Sequence, residues 1–153
     1  MLQYETEDKY FSFIVKTDFT DSHHRFDQCG IVRYLDSENW LKGSVEYENE
    51  SFQHLGSVVT NHGYSDWATT AIPANAKTMW YRFSRREDDY CIECSSDGET
   101  FTQMRVCHMW EGAGKLSIHG QFFSRIYVQS ISGKYPARKF QTHTPLKTET
   151  IAI

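Results

Sequence analysis

Ser37-Glu38-Asn39-Trp40-Leu41-Lys42-Gly43-Ser44-Val45-Glu46-Tyr47-Glu48 is the stretch whose reading decides the fold. Side chains alternate sides along a β-strand. Leu41, Gly43, Val45 and Tyr47 then share one face, suited to a core. Trp40, Lys42, Ser44, Glu46 and Glu48 share the other, where an indole, an ammonium and two carboxylates fall in one row. Working outward, the same period of two recurs in residues 10–17, 29–35, 52–60, 78–85, 90–95, 101–108, 115–121 and 126–132. Turn residues separate these runs, as in Asp36-Ser37-Glu38-Asn39, Asn49-Glu50-Ser51 and Asp97-Gly98. No segment of ten residues carries a helical apolar stripe. Short strands with turn signals every 8 to 12 residues describe an all-β sandwich or barrel.

Some segments fall outside that period. Residues 1–9 are polar and acidic and read as an extended or frayed lead-in without a signal-peptide apolar region. Residues 61–70 mix polar, glycine and aromatic residues and read as a loop that becomes a short strand. Gly56 marks a bulge or a close backbone approach. After Gly133 the pattern fades, which divides the chain into a domain over 1–134 and a C-terminal tail over 135–153.

Composition narrows the function classes. A chain of 153 residues suits one domain. Hydrophobic residues make up 39% and aromatics 15%, with few long apolar runs, so aromatics carry much of the burial. A net charge of -4 argues against a general nucleic-acid binder. No stretch reaches the ~20 apolar residues of a membrane-spanning helix. Cys91 and Cys94 form a CxxC on a strand, where they face opposite sides and chelate poorly. With Cys29 and Cys107 they read as reduced thiols, which points to the cytoplasm. His23 and His24 lie in a polar loop without a third ligand and read as solvated. No metal or cofactor is expected.

Laid out in order, the strands resemble a known family. Asn39 to Tyr47, Val58-Val59-Thr60, and Gly63-Tyr64-Ser65-Asp66-Trp67 are similar to its signature segments. Ala68 stands where a serine is usual. Trp80-Tyr81-Arg82-Phe83 and Ser95-Ser96-Asp97-Gly98-Glu99-Thr100-Phe101 resemble two further segments, with Phe101 in place of tryptophan. The family is the domain of unknown function associated with "regulation of enolase" proteins, within the concanavalin A-like lectin/glucanase superfamily. The resemblance implies an antiparallel two-sheet β-sandwich, a concanavalin A-like jelly roll. It also implies a shortened N-terminus, and hence an uncovered sheet edge through which two chains would pair, with the 135–153 tail patching the gap.

In this superfamily ligands sit on the concave sheet or its rim loops. The resemblance therefore implies a site for a glycan or small polar ligand built from Trp40, Lys42, Glu46, His62, Ser65, Asp66, Trp67 and Arg82. Arg82 alternates with Tyr81 and Phe83 and is placed on the same face as Lys42. Lys42 and Glu46 stand ~13 Å apart along one strand and need a group such as Arg82 between them to interact. A cross-strand charge ladder without any ligand accounts for the same three residues, which makes a structural or protein-interaction module the alternative. A third reading is hydrolytic. Glu46, Glu48 and Glu50 alternate as the acids of laminarinase-type members do, although Glu50 falls in a turn. The expectation is a non-catalytic lectin-like module.

Overall fold

The computed structural model describes residues 3–22, 24–110, 116–121 and 127–131, with side chains described for 7–22 and 24–110. The described residues form strands without a helix. They are β1 (Gln3–Thr6), β2 (Tyr10–Asp18), β3 (Gln28–Asp36), β4 (Asn39–Tyr47), β5 (Phe52–Asn61), β6 (Tyr64–Pro73), β7 (Thr78–Arg86), β8 (Asp89–Ser95), β9 (Thr102–His108), β10 (Leu116–Gln121) and β11 (Tyr127–Ile131). Two antiparallel sheets stack face to face. One runs β1-β10-β3-β4-β5-β6 and the other β11-β2-β7-β8-β9. This is the expected two-sheet sandwich.

The alternation read from the sequence sorts the core. Phe13 and Val15 of β2, Tyr81 and Phe83 of β7 and Ile92 of β8 meet Ile31 of β3, Leu41 and Val45 of β4 and Val59 of β5. Each such side chain contributes ~1.5–3 kcal/mol of burial. Gly43 faces the other sheet, where the side chains leave little room for a Cβ. A Cβ there would stand 3.3 Å from Ile92 and 3.5 Å from Phe83 and Tyr81. Two arginines are also interior. Arg33 and Arg85 lie on inner faces with their guanidinium carbons 5.4 and 5.8 Å from the Tyr90 ring. Burial holds the Arg33 guanidinium below its ordinary pKa, and Arg85 donates to the carbonyls of Glu87 and Asp8.

Three expectations are settled. Of the two readings of the lead-in, extended holds over frayed for residues 3–6: they form β1, which pairs with β10 in the register Gln3↔His119 to Thr6↔Leu116. Residues 61–70 are no loop. His62 and Gly63 have φ of 49° and 79° and make a two-residue turn between the paired Asn61 and Tyr64, from which the ten-residue β6 runs on. Two successive positive φ values are what a tight hairpin of this kind requires. Gly56 keeps regular register on both sides and is no bulge; its role is a close approach by a side chain, described below. The tail over 135–153 and the boundary at 134 lie outside the described residues.

Candidate functional site

The outer face of the six-stranded sheet is built on β4. Counting across in register, Gln28 of β3 lies opposite Glu46, Gly30 opposite Ser44, and Val32 opposite Lys42. On the other flank Glu46 faces His54, Ser44 faces Gly56 and Lys42 faces Val58 of β5. Beyond β5, Gly56 pairs with Thr69 and Val58 with Trp67 of β6. The centre of this face is thus a row of three small residues, Gly30, Ser44 and Gly56.

Two long side chains lie across that row. Lys42 Nζ donates to Gln28 Oε1 at 2.5 Å, although their strand positions are four residues out of register. The lysine stem therefore crosses the Gly30–Ser44 pair. The Gln28 amide in turn donates through Nε2 to Glu46 Oε2, so one glutamine joins the ammonium to the carboxylate. Burial lowers the Lys42 pKa and the Glu46 charge opposes that shift. On the other side Trp67 leans over Gly56: a Cβ on that glycine would come within 3.1 Å of the indole nitrogen. The indole nevertheless remains 59% exposed. An exposed aromatic plane thus adjoins a half-buried chain of ammonium, amide and carboxylate. Aromatic surface with a few fixed polar groups is the usual composition of a small-ligand site.

The structure gathers some of the predicted site residues and separates others. Trp40, Lys42, Glu46, Ser65 and Trp67 share the outer face. Ser65 exchanges a hydroxyl hydrogen bond of 2.8 Å with Thr60. His62 occupies the β5–β6 turn, where its N–H donates to Asn39 Oδ1 at 3.1 Å and Gly63 N–H to Glu38 O at 2.9 Å. The two hairpin tips are thereby tied together. Asp66 points to the inner side of β6, away from Trp67, and meets Arg105 of β9 at 3.3 Å.

Arg82 is placed elsewhere entirely. It stands on the outer face of the five-stranded sheet, held by Glu93 through two bonds of 2.6 Å and covered by the Phe101 ring at 4.3 Å. Parity was read correctly, but β7 and β4 lie in different sheets, so no ladder joins Arg82 to Lys42 and Glu46. Gln28 fills the bridging place instead. Nor do the three acids of the hydrolytic reading form a row. Glu46 is on β4 and bonded to Gln28. Glu48, beyond the strand end, pairs with Arg25 at 2.7 Å. Glu50 lies exposed in the turn.

Reading the sequence overlooked Gln28, Gly30, Gly56 as the seat of Trp67, and Arg105. Glycines at opposed positions of neighbouring strands are a signal in the sequence, but only register shows them as neighbours. Gly30 tolerates no Cβ at all, since one would fall 2.1 Å from Gly43 O. Two signature segments prove to be partners in folding. Trp80 packs on Gly98, where a Cβ would fall 2.8 Å from the indole, and Phe101 covers Arg82. The cysteines of the CxxC face opposite sides. Cys94 packs against the core, whereas Cys91 lies opposite Ser84 on the outer face. All four cysteines are free thiols.

Comparison with known proteins follows the fold. Residues 1–121 match the family described as "Protein of unknown function (DUF1349)". "Regulation of enolase protein 1" of Saccharomyces cerevisiae is 36% identical over 81 residues, 53% of this chain and 40% of that protein. A "Putative beta-xylosidase" of Escherichia coli is 28% identical over 138 residues, 82% of this chain and 25% of that protein. The chain therefore spans well under half the length of these curated relatives. Among solved structures, a functionally unknown protein from Saccharomyces cerevisiae superposes with a TM-score of 0.70 at 26% identity, over 86% of this chain and 75% of that one. A GH43 protein from Bacillus licheniformis superposes at 0.60 and 20% identity, over 75% of this chain and 24% of that one, a likeness of fold.

Proposed function

The chain belongs to the DUF1349 family of proteins of unknown function, and on that footing we propose that it is a non-catalytic lectin-like module binding a glycan on the outer face of its six-stranded sheet. One observation carries the reading: the exposed Trp67 indole laid over Gly56, beside the Lys42–Gln28–Glu46 chain. A pyranose ring stacks on the indole, and its hydroxyls exchange hydrogen bonds with the ammonium, amide and carboxylate. Kinship with a protein named a putative beta-xylosidase supports a saccharide ligand. The name of the yeast relative supports a regulatory setting. Engagement of Glu46 by Gln28 and of Glu48 by Arg25, with Glu50 exposed in a turn, supports a non-catalytic role, because a hydrolase keeps its two carboxyls free to act across one bond. A glycan array probed with the protein and with Trp67→Ala tests this. Retention of a defined set of glycans, lost in the variant, is expected; retention of none sinks the proposal.

A second reading rests on β6. It is a sheet edge whose residues Tyr64 to Ala71 are exposed along both faces. Such an edge pairs readily with another strand, and its self-pairing would make a homodimer. Sedimentation velocity across a concentration series distinguishes the two: a monomer at all concentrations removes the dimer reading.

A further inference from the structure

A second cluster lies on the other side of β6, where neither Trp67 nor Lys42 faces. Among the described residues β5 packs on the edge strand β9, and β6 lies beyond it at the edge of its own sheet. Arg105 of β9 spans this step. Its Nε donates to the buried Ser57 Oγ at 3.0 Å, and its other two nitrogens reach Asp66 at 3.3 and 3.4 Å. The arginine side chain is only 13% exposed, whereas that of Asp66 is 78% exposed. These bonds to Asp66 are longer than the ~2.7–2.9 Å of a close ionic hydrogen bond, and half the carboxylate's acceptor capacity faces solvent.

Two exposed aromatic residues lie at one end of the pair, beside Asn61. Tyr64 lies two residues before Asp66 on the same face and is 84% exposed. It is the register partner of Asn61. The Asn61 side chain donates to His108 O and accepts from Trp110 N–H, both at 3.0 Å, which fixes the backbone at Trp110 against this end of β5. Trp110 is 69% exposed, with the His108 ring edge-on at 5.0 Å.

We propose that the step between β6 and β9 is a second saccharide site, taking a neutral oligosaccharide that runs from the Tyr64 and Trp110 rings along to the Asp66–Arg105 pair, where its hydroxyls bond. Neutrality follows from the pair itself, in which the guanidinium is already matched by a carboxylate, so an added charge would go uncompensated. Asp66 accepts from a sugar hydroxyl, and the guanidinium N–H groups not engaged by Ser57 and Asp66 donate to a neighbouring oxygen. Two exposed rings beside the pair suit the apolar faces of a sugar chain, which water or a protein loop does not need.

Four indole N–H resonances in the full chain make the test direct. The ¹⁵N-labelled protein is titrated with xylohexaose, cellohexaose and mannohexaose, with each indole assigned by a Trp→Phe variant. The expected result is a saturable shift of the Trp110 indole with at least one sugar, weakened at least fivefold by Tyr64→Ala and by Asp66→Asn. Both variants sit at exposed positions and leave the fold intact. Trp110 unmoved by all three sugars, or moved equally in both variants, overturns the proposal. The Trp67 indole reports separately on the outer face, so failure of one site is told apart from failure of the other.

Discussion

Lys42 and Arg82 each occupy the outward position of a strand, and each is tied to a glutamate, yet they differ in what those ties leave free. Glu93 and the Phe101 ring enclose the Arg82 guanidinium. Arg82→Met strands Glu93, which is 8% exposed, and is expected to cost about 3 kcal/mol in denaturant unfolding while leaving glycan retention unchanged. Lys42 and Glu46 touch only through the Gln28 amide, so their remaining donors and acceptors stay available. Asp97 shows the same contrast in pH. Its carboxyl accepts from the Ser95 hydroxyl and from the N–H groups of Glu99 and Thr100, which lowers its pKa from 3.8 to about 2. The folded chain thus holds that proton less tightly than the unfolded chain. The stabilisation is full above the unfolded value and is lost as pH falls through about 2. Asp97→Asn is expected to lower Tm near neutral pH, with the difference from the parent protein closing toward pH 2; a constant gap contradicts this. At this scale the sequence told which side of a strand a residue takes. It could not tell that β4 and β7 belong to different sheets, and so it assigned Arg82 to the wrong company and passed over Gln28.

At the scale of elements, alternating apolar residues marked the buried strands, and β2 to β5 and β7 to β9 lie within a residue or two of their expected bounds. β6 was legible only as a short strand after a loop, because an edge strand needs no apolar face: Ser65, Asp66, Ala68, Thr69 and Thr70 alternate nothing. Its turn also starts with histidine in place of the asparagine or aspartate that usually announces such a hairpin. Residues 96–101 gave a turn signal whose purpose was hidden until Trp80 was seen packed against Gly98. Gly98→Ala combines a Cβ 2.8 Å from that indole with a φ of 80° and is expected to destabilise the fold by about 1–3 kcal/mol. Gly56→Ala acts differently. Its Cβ meets the Trp67 nitrogen and Thr69 at 3.1 Å, so the indole shifts off its seat. The expected outcome is weaker glycan retention with a Tm within a few degrees of the parent protein; unchanged retention would show that the indole's position over Gly56 is immaterial.

Among the described residues the sandwich has unequal sheets, and that inequality exposes β6. Among the described residues β6 ends its sheet beyond the β5 that packs on β9, with Trp67 on one side of the strand and Asp66 on the other. Adjacent residues expected to line one site therefore lie on opposite faces of β6. Strand order is a long-range property, fixed by which hairpins pack against which, and spacing along the chain carries no record of it. The account centres on the outer face. Its most direct test is isothermal titration of the glycan best retained on the array into the parent protein and into Trp67→Ala, with circular dichroism confirming that both are folded. About a tenfold weaker affinity in the variant is predicted, equivalent to the ~1.4 kcal/mol of one lost aromatic stack. Equal affinity of the two proteins for the glycan would contradict it.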